Sequence, residues 1–303
     1  MISYKDIKLN LNVSDSLALL IATVAFIIIQ NNVYSFFDYD GYQMYIEANG
    51  LAMVRFSKEI ISASIMDILS KLKLSAWHYY FICNLSFIAS CYVVTRKAGN
   101  LKNLIFLLLV INPITFIMYL TPRQTMSIAF SLLAFSTNRF YLKIAIFIFA
   151  TLTHTASGII SLIFFFIFNS TFKFSLMFML GFFAIFSMVM SGIIPTKYAY
   201  VYTEEISNDR GWGRLMYFLV FTSFLMFLNK SKECGIAFLS ALLIIGLHII
   251  APVGGRLLYI VLPLLLLSYK NLYYTLNYVI FLFFVVINII LCSFIVYSGS
   301  YGY

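Results

Sequence analysis

Eleven apolar runs follow one another along this chain with short polar connectors between them, at roughly 17–35, 76–95, 101–120, 124–138, 140–153, 155–168, 174–194, 214–229, 234–250, 256–269 and 275–297. No other feature restricts the fold as much. About 20 apolar residues carry a helix across a hydrocarbon core roughly 30 Å thick. Inside lipid every backbone N–H and C=O has to be satisfied within the segment, so runs of this kind are helices. The chain is 62% hydrophobic and 10% charged, whereas soluble domains are about 45–50% apolar. The expectation is an all-α, polytopic integral membrane protein with about eleven transmembrane helices, one membrane domain over residues 1–303 and a lipid bilayer around it. The first sixteen residues are polar and no small-residue cleavage site follows the first apolar run, so that run is expected to stay as a helix.

A net charge of +9 would suggest nucleic acid in a soluble protein, but here the basic residues stand singly or in pairs between apolar runs. Such residues mark topology, and no nucleic-acid partner is expected. With the amino terminus inside, eleven basic residues fall on the cytoplasmic side and nine outside, four of the nine in one long loop where the positive-inside bias has little force. Five of those nine are arginines (Arg55, Arg123, Arg210, Arg214 and Arg256), out of seven in the chain. The four cysteines (Cys83, Cys91, Cys234 and Cys292) have neither CxxC nor Cys/His metal spacing and read as small buried apolar side chains, so no metal site is expected.

The orientation of the second half turns on residues 140–168. One helix over that stretch would run about 43 Å at 1.5 Å per residue, well beyond the core, and would bring Thr151, Thr153, His154, Thr155 and Ser157 near the midplane. A break at His154 avoids both problems and keeps Arg210, Arg214 and Arg256 outside. Charge counting alone does not choose, because the basic residues beyond 169 split evenly between the two sides.

Two outer loops, 36–75 and 195–213, hold eight of the eleven acidic residues. In the first, Phe56, Ile60, Ile61, Ile65, Ile68, Leu69 and Leu72 recur at helical spacing. Arg55, Lys58, Glu59, Ser62, Asp67 and Lys71 mostly take the other face, which predicts an amphipathic helix lying on the outer interface.

Several residues at these outer ends could carry chemistry. Arg123 follows Thr121-Pro122 at the start of a helix, beside backbone amides that favour anions. It reads either as an interface anchor or as an anion clamp, and as a cation at a helix amino terminus it opposes the helix dipole until an anion joins it. Arg256 follows Gly254-Gly255, and Arg210 and Arg214 flank Gly211-Trp212-Gly213. Four arginines opening three loop-to-helix junctions favour a phosphate-bearing ligand, since guanidinium grips phosphate in bidentate fashion. His154 is either a capping residue at the helix break or a proton acceptor. Asp38 and Asp40 are solvated acids or a pair from which one serves as general base for a sugar hydroxyl. Tyr42, with Tyr39 and Tyr45, belongs to an interfacial aromatic belt or stacks on sugar rings.

Asp38-Tyr39-x-x-Tyr42 after the first helix, Arg123-Gln124-x-x-x-Ile128-Ala129 opening another, and His154-x-x-Ser157-Gly158 some way downstream resemble the EpsG-like branch of the Wzy (O-antigen) polysaccharide polymerases. The resemblance covers most of the chain in layout through short motifs, and none of them falls in residues 174–213. It implies a GT-C-like architecture in a bacterial inner membrane. It implies a glycosyltransferase that joins repeat units carried on undecaprenyl diphosphate at the periplasmic face, with no cofactor and with a chain-length regulator protein as a partner. On that resemblance Arg123, His154 and Asp38 are the matched positions. Arg210, Arg214 and Arg256 are added to the diphosphate site on physical grounds, and Asp40 and Tyr42 to the sugar site. A flippase or transporter for the same lipid-linked sugar would want ionisable residues at the midplane and internal repeats, and neither is visible. A membrane acyltransferase acting on surface glycans is the other competing reading.

Overall fold

A computed structural model describes residues 13–36, 38–96, 98–190, 212–228, 231–250, 257–268 and 275–298. Among the described residues the regular structure is all helical. The α-helices are α1 (Val13–Asn31), α2 (Tyr39–Glu47), α3 (Leu51–Arg55), α4 (Ile60–Lys71), α5 (Ala76–Thr95), α6 (Lys102–Val110), α7 (Pro113–Met118), α8 (Pro122–Ser136), α9 (Phe140–Thr153), α10 (Thr155–Asn169), α11 (Phe172–Met190), α12 (Trp212–Leu228), α13 (Lys232–Ile250), α14 (Leu258–Ser268) and α15 (Thr275–Ser298). Short 3-10 turns sit at Val33–Ser35 and Gly99–Leu101. By length and composition α1 and the Val279–Tyr297 part of α15 are able to cross a membrane, and α9 to α12 and α14 contribute shorter apolar helices.

Each predicted apolar run corresponds to one helix except the third. Residues 101–120 divide into α6 and α7 at Ile111-Asn112. The cause is local. Asn112 precedes Pro113, and a residue before proline is pushed out of the helical region, while proline itself suits the first helical position. The Asn112 side-chain oxygen then accepts the Ile114 N–H at 2.8 Å, capping α7 as it opens. Its amide nitrogen donates to the Tyr217 hydroxyl at 3.3 Å, which in turn donates to Asn288 Oδ1 at 2.6 Å. The break is thus tied into α12 and α15 by a chain of two side-chain hydrogen bonds.

Helices α6 and α14 are buried around nearly their whole circumference, as expected of helices apolar on every side. With α5 and α8 they form the centre of the bundle. The peripheral helices face outward with large apolar side chains: Leu17, Leu20 and Ile27 on α1, Phe174 and Phe178 on α11, and Phe283, Ile290 and Phe294 on α15 are all exposed. Water-soluble monomers rarely carry an apolar surface of that extent. The exterior is consistent with a membrane protein.

At one end of the bundle Asp15, buried near the start of α1, accepts from Lys102 at 2.7 Å and Asn103 at 2.8 Å, with Arg96 at 4.0 Å. This ties the starts of α1 and α6 to the end of α5. An apolar cavity of about 400 Å³ lies between α1, the α6–α7 junction and α15.

Residues 140–169 form two helices, α9 and α10, that turn back on each other at His154. Phe147 and Phe165 meet at 5.5 Å between ring centroids, and both touch Phe135 of α8, so the pair is an antiparallel hairpin and not a bent single helix. Closeness at the tip depends on Gly158, where an added Cβ would lie 2.5 Å from the Thr151 Cα.

Candidate functional site

The tip of that hairpin is where the site is assembled. His154 has an extended backbone (φ −151°, ψ 106°) and is the cap at which one helix ends and the next begins. Its Nδ1 accepts the Ser157 N–H at 3.1 Å, the third-position amide that a capping side chain satisfies. A neutral ring held this way carries its proton on Nε2, which lies 3.9 Å from Glu59 Oε1.

The end of α9 also fixes α4. Ser62 is fully buried and donates to the Thr153 carbonyl at 2.7 Å, and Ser127 of α8 donates to the Ala150 carbonyl at 2.8 Å. Both carbonyls belong to the last turn of α9; that of Ala150 also accepts the His154 N–H at 3.0 Å, while that of Thr153 lies past the last helical donor. Ser62 therefore anchors the first turn of α4 against the hairpin, and Glu59, just before that turn, is delivered to its tip. The Glu59 carboxylate there bonds the Arg123 guanidinium through Nη1 and accepts the Thr155 N–H at 3.3 Å.

Arg123 projects from the first turn of α8. Its Nε donates to the Tyr42 hydroxyl at 3.0 Å, and its guanidinium lies 4.2 Å from the centroid of the Phe56 ring. The Tyr42 ring is itself packed against Tyr79 and Tyr80, both fully buried. Burial pushes the Tyr42 phenol up to about 12, with Arg123 pulling the other way, so it remains a neutral hydroxyl for the guanidinium to use. Helix α2 is held in place by Gln43, whose side-chain oxygen accepts the Ala76 N–H at 2.8 Å as α5 begins.

Four elements thus converge on one cluster: Tyr42 from α2, Glu59 from the approach to α4, Arg123 from α8, and His154 with Thr155 from the hairpin. In this arrangement an anion, the Glu59 carboxylate, sits between a guanidinium and the opening amide of α10. None of its residues lines the apolar cavity beside α1.

The sequence-predicted residues fare unequally. Arg123, Tyr42 and His154 come together. Tyr42 does so through its hydroxyl, because its ring is buried, and a stacking platform for a sugar is not what the ring presents. Asp38 and Asp40 are exposed at the head of α2, Asp38 at the cap position and Asp40 in the first turn. Arg214 lies in the first turn of α12, partly exposed, and takes no part in the bonds of the Arg123 cluster. Arg210 and Arg256 lie outside the described residues. Arg55 ends α3 with its side chain exposed.

One residue of the amphipathic stretch needs correcting. The stretch is a helix, α4, but Ser62, expected on the polar face, is buried with Ala63, Met66 and Leu69, while Ile60, Ile68 and Leu72 are exposed. The exposed isoleucines keep an apolar outer face on the helix, and Ser62 is the residue of the expected polar face that packing takes inward. The helix packs its small-residue side against α9, and Ser62-Ala63-Ser64 is the signal for that, since small residues let helices approach closely. Glu59 was missed because the same reading left it on a solvated face.

A scan against protein-family models and searches of curated proteins and of solved structures returned no match to this chain.

Proposed function

We propose that this protein is a polysaccharide polymerase of the EpsG-like Wzy kind, an inner-membrane glycosyltransferase with about eleven transmembrane helices and a GT-C-like plan. Its substrates on this reading are oligosaccharide repeat units on undecaprenyl diphosphate, joined at the periplasmic face. One observation carries the reading. Arg123 and His154, the positions matched by the motif resemblance, are far apart in sequence yet meet through a single carboxylate at the ends of their helices. The apolar exterior and the reversal at His154 support the membrane topology that the reading needs.

A hydroxyl of the newly arrived repeat unit attacks the anomeric carbon of the growing chain. The bond from that carbon to the lipid diphosphate breaks, and the diphosphate leaves with the electron pair. Arg123 neutralises the charge that builds on the leaving group, help of a kind worth roughly 3–4 kcal/mol per preorganised donor in other enzymes. The Nε2–H of His154 is a second donor toward the same place. Because Nδ1 is spent on the Ser157 amide, His154 serves as a donor and not as the base, and Asp38, the exposed acid at the head of α2, takes the hydroxyl proton. On this reading Asp40, in the first turn of α2, bonds sugar hydroxyls.

Arg123→Lys tests the clamp, because it keeps the charge and loses the fork. Cells carrying it should make surface polysaccharide of single or few repeats, read by gel electrophoresis; long polymer at normal yield would sink the assignment. Deletion should likewise leave single-repeat product. Loss of all exported repeats would instead identify a flippase, and normal chain length with altered substitution an acyltransferase.

A further inference from the structure

The Arg123 side chain is only 24% exposed, and a guanidinium so enclosed is stable only with an anion beside it. Within the chain that anion is Glu59. The carboxylate divides its oxygens: Oε2 takes Arg123, while Oε1 takes the Thr155 N–H at 3.3 Å and faces His154 Nε2 at 3.9 Å. Guanidinium, the opening amide of a 15-residue helix and an imidazole N–H are the donors that proteins assemble around phosphate. On the residue that supplies that amide, the Thr155 hydroxyl oxygen is buried and makes no hydrogen bond.

Glu59 itself is attached in a way that permits exchange. Its backbone is non-helical (φ −117°, ψ 57°), it precedes the turn that Ser62 anchors, and its neighbours Ser57 and Lys58 are exposed. Rotation of its side chain away from Arg123 leaves the Ser62 anchor and the hairpin intact.

We propose that Glu59 is a built-in placeholder: its carboxylate occupies the seat of a phosphate group between Arg123 and the start of α10, and phosphate binds by displacing it. This rests on reading the Arg123 cluster as a diphosphate clamp. The exchange makes the clamp selective, since a ligand has to outcompete a tethered carboxylate, and a diphosphate does so with more charge and more acceptor oxygens than a simple anion. Return of Glu59 helps expel the diphosphate after transfer.

The test is calorimetric titration of the purified, detergent-solubilised protein with inorganic pyrophosphate at low salt, for the wild type, Glu59→Gln, Glu59→Asp and Arg123→Ala. Glu59→Gln should bind about tenfold tighter than the wild type or more, as expected when a competing closed state is removed. Glu59→Asp, which keeps the charge but is one methylene too short to span both donors, should fall between them, and Arg123→Ala should not bind. If Glu59→Gln binds no tighter than the wild type while Arg123→Ala still abolishes binding, the placeholder is wrong and the clamp stands. If no variant binds pyrophosphate, the clamp reading fails and the placeholder with it. Thermal unfolding adds a second readout that does not depend on equal starting stability. Glu59→Gln should melt lower than the wild type without pyrophosphate and gain more on adding it; an equal or smaller gain overturns the proposal.

Discussion

Arg123 is positioned by three different contacts: a phenol that accepts from Nε, a ring that its guanidinium covers, and a carboxylate that balances its charge. The first makes a direct prediction. Tyr42→Phe deletes the acceptor while keeping the packing, and should cost about 1.5–3 kcal/mol of stability, the range for a hydrogen bond to a charged group, in thermal unfolding of the detergent-solubilised protein. His154 separates capping from chemistry. His154→Asn keeps a good cap and should preserve stability, while His154→Ala should lose about 1 kcal/mol. Polymer formation should fall in both if the Nε2–H is needed, and full polymer in His154→Asn would reduce the residue to a cap. Of these residues, Arg123 and His154 were legible in the sequence because proline and threonine neighbours flag helix ends. Glu59 was not. A carboxylate in a mixed polar face looks solvated until the fold reveals which side of its helix is covered.

At the scale of elements, the hairpin at His154 is the feature on which the site depends. Without the reversal, α10 would not begin beside Arg123 and the Thr155 amide would have no carboxylate to meet. Gly158→Ala tests it directly. A methyl placed 2.5 Å from the Thr151 Cα forces the helices apart, and overpacking of this sort costs about 1–3 kcal/mol, visible as a lower melting temperature and reduced membrane yield. Length and polarity were enough to predict the break, since a single helix would have been too long and would have placed threonines and a histidine at mid-depth. The division of the third run at Asn112 was equally available in Asn112-Pro113, but uniform apolarity on both sides concealed it. What no periodicity could supply was the second use of Asn112, whose amide reaches Tyr217 across the bundle.

For the whole molecule, the exposed apolar side chains of α1, α11 and α15 and the buried α6 and α14 are consistent with a bundle turned outward to a membrane. The proposed topology has a direct consequence. Ser57 and Asn138 are both exposed, one before α4 and one between α8 and α9, and belong on opposite sides of the membrane. The native cysteines are buried and should stay silent. In intact cells with the outer membrane made permeable, Ser57→Cys should react with a membrane-impermeant maleimide and Asn138→Cys should not; labelling of both or of neither would refute the orientation.

The sequence by itself determined that the chain is a series of helices, where most of them begin and end, and that arginine gathers at their ends. Those properties follow from local chemistry: apolar run length, proline, and capping side chains. Only the tertiary structure decided which of the candidates share a site. Ser62 buries against the Thr153 carbonyl at the end of α9, and that long-range hydrogen bond, with the packing of α4 on α2, α5 and α9, holds Glu59 beside Arg123 and the hairpin tip, while Arg214 is left out of the cluster. Carbonyl groups at a helix end accept whatever donor the packing offers, and which donor arrives is a property of helices meeting in space, not of residue order.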